Sequence, residues 1–283
     1  MRPALPALLL GATCIALSPI FVRVADVGPT ASAFWRVALA LPLLWPLLAL
    51  APRAGAVRPD RKMLLAAGFA FAGDLGFWHW SIQFTSVANS TLLANLASLF
   101  VTLAAWILWR QRPSALFAAG LAAALAGVGL LVHTSLQFSA SALLGDALGV
   151  VTAVFYAGYI LAVKDLRDRG ARTLQVMAVT TTLTALFLLP AALASGETLM
   201  PQSAAGWLKL AGLAWISHCA GQGLIAYSLA HLPAAFSSVS LLFQPVMAAL
   251  FAWILLSEPL VPLQMAGGVV VLAGIYLARR GSS

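Results

Sequence analysis

The sequence predicts an all-α integral membrane protein of ten transmembrane helices, arranged as two inverted five-helix repeats. Three observations carry that reading: a composition too apolar for a water-facing surface, long unbroken hydrophobic runs, and a match of the chain onto itself. Of the 283 residues, 62% are hydrophobic and only 8% are charged, where a soluble domain has about a quarter charged. A span needs about 20 apolar residues, because the hydrocarbon core is about 30 Å thick and a helix rises about 1.5 Å per residue. In lipid every backbone amide must bond internally, which leaves helices or closed barrels. The runs here lack the alternation of barrel strands.

Spans are expected at 4–24, 30–51, 62–83, 87–109, 114–134, 141–163, 172–194, 206–230, 234–256 and 259–278. Gly28-Pro29, Pro52 to Asp60, Arg110 to Pro113 and the charged stretch Lys164 to Arg172 mark breaks between them. The first run, Ala4 to Val22, outlasts the apolar stretch of a signal peptide and is read as a span. Cys14 and Cys219 fall inside apolar runs and read as small packing residues, with no disulfide framework or metal-ligand spacing.

The net charge of +8 sits at the ends of the runs, which argues for orientation signals and against nucleic acid. Arg2, then Arg53, Arg58, Arg61 and Lys62, then Arg110 and Arg112, then Lys164, Arg167, Arg169 and Arg172, and last Arg279 and Arg280 share one face. Asp26, Glu197 and Glu258 take the other face, with Lys209 and Arg23 as minority cations. The positive-inside rule then predicts an even span count and both termini in the cytoplasm.

Slid by 147 residues, Gly76 falls on Gly223, Ser81 on Ser228, Ala88 on Ala235 and Ser90 on Ser237. Ala105-Trp106-Ile107-Leu108 falls on Ala252-Trp253-Ile254-Leu255, Ala119-Gly120 on Ala266-Gly267, and Leu125-Ala126-Gly127 on Leu272-Ala273-Gly274. The repeats are placed at 1–136 and 137–283. Five spans per repeat force the second to enter the membrane upside down. The charges agree: Arg110-Gln111-Arg112 has Ser257-Glu258-Pro259 as its counterpart on the opposite face. Inverted repeats are a recurring transporter architecture, with the substrate site near mid-bilayer at the repeat interface; duplication for folding alone is the plainer alternative.

Phe243-Gln244-Pro245-Val246 running to Ser257-Glu258-Pro259-Leu260 before a Gly-rich last helix, on a five-plus-five frame, resembles the EamA-type drug/metabolite transporter (DMT) superfamily. Phe34-Trp35-Arg36-Val37-Ala38-Leu39-Ala40 is similar to that family's second-helix motif. The resemblance covers the whole chain. The first repeat departs from it, with Ser98 against Pro245 and Gln111-Arg112 against Glu258-Pro259. Within the superfamily the chain most resembles the YddG-type aromatic amino acid exporters. That implies a secondary transporter exporting amphipathic metabolites, aromatic amino acids first, across the bacterial inner membrane. A lipophilic-cation exporter of the same fold is the alternative.

No phosphate-cradling Gly-x-x-x-x-Gly-Lys-Ser/Thr loop surrounds Lys62, Lys164 or Lys209, which excludes ATP-driven pumping by this chain alone. No cofactor or metal is expected; the partners are a small-molecule substrate and the lipid bilayer, with one chain sufficing as a functional monomer. Polar groups inside the membrane are costly and are candidates for function. Asp74 and His79, within Gly73 to Trp80, are candidate proton or charge sites. Five residues apart, they point to different sides of one helix; an uncharged Asp bonded to a neighbouring helix is the structural alternative.

Polar stripes run along four helices: Thr91, Asn95, Ser98 and Thr102; Thr152, Tyr156 and Tyr159; Trp215, His218 and Gln222; Ser237, Ser240 and Gln244. Stripes of this kind face protein or a wet cavity. Any single Ser or Thr is accounted for by interhelical bonding, about 0.6 kcal/mol per contact; their convergence predicts a central polar cavity. Aromatic residues inside the runs suggest its walls: Trp78, Trp80, Tyr156, Tyr159, Tyr227 and Phe243. The predicted substrate-binding set is Trp78, His79, Asn95, Tyr156, Tyr159, Gln222, Tyr227, Phe243 and Gln244. Such a cavity suits an amphipathic solute, and aromatic faces attract an ammonium by about 0.5–2 kcal/mol. Trp106 and Trp253, near helix ends, read as belt or packing residues. Arg36 is read first as a helix anchor, with Asp26 or a substrate carboxylate as its possible partner. Asp146 is expected to cap the sixth helix. Gly145 and Gly149, and Gly120 with Ala124 and Gly127, read as close-packing surfaces.

Alternating access follows if the repeats pack in two mirror-related ways, with Pro19, Gly76, Gly223 and Pro245 as hinges. Three rivals remain at this level: an intramembrane enzyme using Asp74 and Asp146, each of which follows a glycine; a scaffold, poorly served by such short loops; and a channel.

Overall fold

The computed structural model describes residues 3–52, 57–85, 87–132, 140–257 and 260–282. Arg2, Arg53, Glu258, Pro259 and the expected repeat boundary after residue 136 lie outside the described residues. Ten spans result. The first is α1 (Ala4–Ala16) with α2 (Ser18–Arg23), the second α3 (Pro29–Ala38) with α4 (Leu41–Leu50), and the third α5 (Arg61–Phe84). The fourth is α6 (Val87–Ala94) with α7 (Ala97–Trp109), and the fifth α8 (Ala115–Val132). The sixth and seventh are α9 (Ala140–Asp168) and α10 (Thr173–Ala194). The eighth runs through α11 (Ala204–Gly212), a π-helical segment (Leu213–Gln222) and α12 (Gly223–Ser228). The ninth is α13 (Ala234–Ser240) with α14 (Phe243–Leu256), and the tenth α15 (Pro262–Gly281). Among the described residues, seven spans are long and apolar enough by length and composition to cross a membrane, and the fifth is a shorter apolar helix. The third and eighth, which are repeat mates, are the less apolar pair.

The repeat is visible in the backbone. Val87 and Ala234 begin matching helices, Trp109 and Leu256 end them, and Ala115 and Pro262 begin the next, each pair 147 residues apart. The residues after those ends, Arg110 and Ser257, share a left-handed conformation at φ 58° and 55°. They are the non-glycine residues with positive φ among the described residues. The inversion is visible in packing. Gly120 abuts Gly274 while Gly127 abuts Gly267, so α8 and its mate α15 run antiparallel. A Cβ on Gly127 would stand 2.6 Å from the Val271 nitrogen, and one on Gly267 2.8 Å from the Gly127 carbonyl oxygen. Only glycine permits that approach.

A second pair of contacts interlocks the repeats. Ser81, at the end of α5, donates to the Gly145 carbonyl on α9 at 2.7 Å. Its mate Ser228, at the end of α12, donates to the Ala4 carbonyl on α1 at 2.9 Å. One bond lies at the end of the bundle that bears Asp26 and Glu197, the other at the basic end. The second and seventh spans also pair along their length. Glu197 accepts from the Thr30 and Ala31 amides at 2.8 and 3.2 Å, capping α3 across the repeats. At the other end the Arg172 guanidinium donates to the Pro52 carbonyl.

Three details differ from expectation, and a fourth, the Ala-Trp-Ile-Leu string, falls within the belt reading of its tryptophans. The sixth helix does not stop at 163: Lys164 pairs with Asp168 at 2.5 Å and Asp165 with Arg169 at 2.7 Å. These i,i+4 pairs carry the helix to Asp168, and Gly170 turns the chain at φ 85°. The shared Ala-Trp-Ile-Leu string is mostly a lipid-facing surface, since Trp106 and Trp253 are 44% and 51% exposed and only Ala105 is fully inside. Gly76 lies within unbroken α5. Finally, five of the ten spans are interrupted. Prolines account for three of the interruptions, because each lacks an N–H and fits the first turn of a new helix: Pro19 in α2, Pro42 in α4 and Pro245 in α14. The break at Asn95–Leu96 has no proline. There the Asn95 side-chain amide donates to the Thr91 carbonyl at 2.8 Å and the Ser98 hydroxyl to the Asn95 carbonyl at 2.9 Å, each carbonyl also accepting from a backbone N–H.

Candidate functional site

The interruptions converge. A cavity of about 110 Å³ is lined by Ile15, Ala16, Ser18 and Pro19 at the α1–α2 junction, by Arg36 of α3, and by Asp74, Leu75 and Trp78 of α5. Thr91, Ala94 and Asn95 close it at the break of the fourth span, Tyr156 of α9 from the side. Gln222, the last residue of the π segment, and Gln244, Pro245 and Ala248 of α14 complete it. Both repeats contribute, and irregular backbone reaches it from the first, fourth, eighth and ninth spans. Inside a membrane such backbone is tolerated where it lines a protein-enclosed cavity.

Electrostatically the cavity is bipolar. Arg36 is 4% exposed and shares the cavity wall with Asp74 and Tyr156. Arg36 and Asp74 both line the space without closing an ion pair. The Arg36 Nε, Gln222 Oε1 and Gln244 Nε2 atoms are buried with no hydrogen-bond partner, although both amides face the Tyr156 hydroxyl. Buried polar atoms are almost always satisfied, so unpaired ones at a cavity point to a ligand or water that completes them.

Of the predicted substrate-binding residues, the structure brings together Trp78, Asn95, Tyr156, Gln222 and Gln244, with Asp74 among them and the proposed hinges Pro19 and Pro245 on the wall. The others lie elsewhere. His79 is fully buried, its Nδ1 2.6 Å from the Leu75 carbonyl of its own helix. Tyr159 stacks on Phe71 at 4.5 Å, one layer behind Tyr156. Tyr227 meets His231 edge-on at 5.0 Å, and Phe243 packs against the core. Trp80 is half exposed and its indole donates to Thr30 at 3.3 Å. Gly223 sits where the π segment passes into α12. Asp146 is absent from the cavity that holds Asp74.

The stripe Trp215–His218–Gln222 splits, because the π segment turns by i→i+5 bonds and the three–four rule fails there. His218 faces Thr181 at 2.8 Å and Gln222 the cavity, while Trp215 turns outward and donates to the Leu39 carbonyl. Arg36 corrects a second expectation. Asp26 accepts from Ser203 at 3.0 Å instead, and Arg36 lies in the bundle interior, its Cζ 6.0 Å from the centre of the Phe71 ring. The available signal was its place within an apolar run, where an unneeded charge is costly.

Comparison with known proteins fits this geometry. The model of the EamA-like transporter family matches residues 2–133 and again 143–280. The chain belongs to the EamA-like transporter family. Its two matched segments are the two repeats of the DMT fold. Among curated relatives of this EamA-like chain, an uncharacterized transporter of Archaeoglobus fulgidus is 29% identical over 273 residues, 91% of each chain. A protein of Salmonella typhimurium described as a probable amino-acid metabolite efflux pump is 27% identical over 232 residues, 78% of each. A crystal structure at 18% identity superposes with a TM-score of 0.79, covering 98% of this chain and 96% of the other, and shares the fold.

Proposed function

We propose that this EamA-like transporter exports small amphipathic metabolites by alternating access, amino acids foremost and aromatic ones preferred, as in the YddG-type branch it resembles. The observation that carries the reading is the bipolar cavity enclosed by both repeats where the interrupted spans meet. Trp78 and Tyr156 offer aromatic faces beside one cation and one carboxyl. The efflux-pump relative supports the same substrate class. The basic loops belong in the cytoplasm of a bacterial inner membrane, with both termini there, and one chain encloses the path.

The test is uptake of labelled tryptophan, phenylalanine, threonine and a lipophilic cation into liposomes containing the purified protein, with and without a pH gradient. Saturable amino acid flux with mutual competition is the expected result. The lipophilic-cation reading draws on one feature, a carboxyl beside aromatic faces at Asp74, Trp78 and Tyr156; cation flux without amino acid flux would favour it.

A further inference from the structure

We propose that Arg36 and Asp74 are the two poles of a head-group site for a zwitterion, Arg36 receiving a carboxylate and Asp74 an ammonium group. This deepens the substrate-site reading of the cavity and rests on it. Both residues line the cavity and neither completes the other by an ion pair. A guanidinium suits a planar carboxylate, to which it can offer two parallel donors.

Charge counting gives the selectivity. Without ligand, one positive and one negative group sit in an apolar bundle. A zwitterion adds one charge of each sign, so the total stays at zero and each resident charge gains a partner. An amine lacking a carboxylate pairs Asp74 but brings a second cation near Arg36. An acid lacking an amine does the converse. In a low dielectric an uncompensated charge is far more costly than in water, so the head group dominates recognition.

The unpaired atoms complete the pattern. Arg36 Nε is a buried donor without a partner and fits a carboxylate, while the Gln222 and Gln244 amides on the same wall carry both donors and acceptors for the head group. The space, about 110 Å³, has room for a head group, given that one water needs about 10–15 Å³. Trp78 and Tyr156 are left for the side chain of the solute.

The experiment is uptake of labelled phenylalanine by the wild-type protein in liposomes, competed by 3-phenylpropionate, which keeps only the carboxylate, and by phenethylamine, which keeps only the ammonium. Each is expected to compete at least about tenfold more weakly than unlabelled phenylalanine, as the loss of one charged hydrogen-bonded contact predicts. Arg36→Gln is expected to raise the KM for phenylalanine at least about tenfold while phenethylamine closes the gap, and Asp74→Asn to do the same for 3-phenylpropionate. Arg36→Lys is expected to keep the wild-type order at lower affinity. If either half-molecule competes as well as phenylalanine against the wild type, the proposal fails even where a variant does not fold. That failure leaves amino acid export standing. Absence of phenylalanine uptake together with uptake of a lipophilic cation would instead overturn both.

Discussion

The third and eighth spans are repeat mates, yet one is a single 24-residue α-helix and the other is wound as a π-helix over ten residues. Their ends are alike: Ser81 and Ser228 each bond to a backbone carbonyl of a helix in the other repeat, Ser228 sharing its hydroxyl with the Leu224 carbonyl. Their middles differ. The third presents Asp74 and Trp78 to the cavity; the eighth presents Gln222 and buries His218 against Thr181. The duplicated frame supplies two interlocking halves, and departures from the duplication supply a site with distinct ends. A strictly symmetric dimer could not place one cation opposite one carboxyl in this way.

The largest effect should come from attacking the shared frame. Gly120→Val and Gly267→Val press on backbone at matching points of the α8–α15 crossing, and each is expected to destabilise the bundle by about 1–3 kcal/mol. Thermal unfolding in detergent reads both, and markedly unequal losses would break the symmetry of that seam. Ser81→Ala and Ser228→Ala should each cost about 0.6 kcal/mol but loosen opposite ends of the bundle. Cysteine-accessibility scanning from the two sides of the membrane is expected to show shifts of opposite sign; shifts of the same sign would count against two equivalent pins.

The smallest stability effect is expected at the asymmetric hinge. Pro245 occupies the first turn of α14, where its missing N–H removes no intrahelical bond. Pro245→Ala should leave the unfolding temperature nearly unchanged and still slow transport severalfold. Equal losses of expression and of rate would sink the hinge.

Much of the frame was legible in the sequence. The 147-residue offset that aligned Gly120 with Gly267 and Ser81 with Ser228 also aligns helix starts, helix ends and left-handed caps. The site was legible in part. Asn95, Tyr156, Gln222 and Gln244 are polar groups that cannot face lipid, so their periodicity pointed inward. His79 and Tyr159 obey the same rule and are nonetheless sequestered, one against its own helix and one against Phe71. Periodicity identifies an inward face but not which inward residues meet a void. It failed outright where the backbone left α-helical geometry, as at Trp215.

Hydrophobicity alone determined that this chain spans a membrane, because about 20 apolar residues in a row have no other stable solvent. The internal match determined that five spans are followed by five inverted ones. What only the tertiary structure decided is where the charges stand. Arg36 and Asp74 lie 38 residues apart on separate helices, and their shared cavity depends on packing between the repeats and on breaks in four spans. Such long-range proximity leaves no period in the sequence, because it is set by how helices cross, while local pattern records only which side of each helix turns inward.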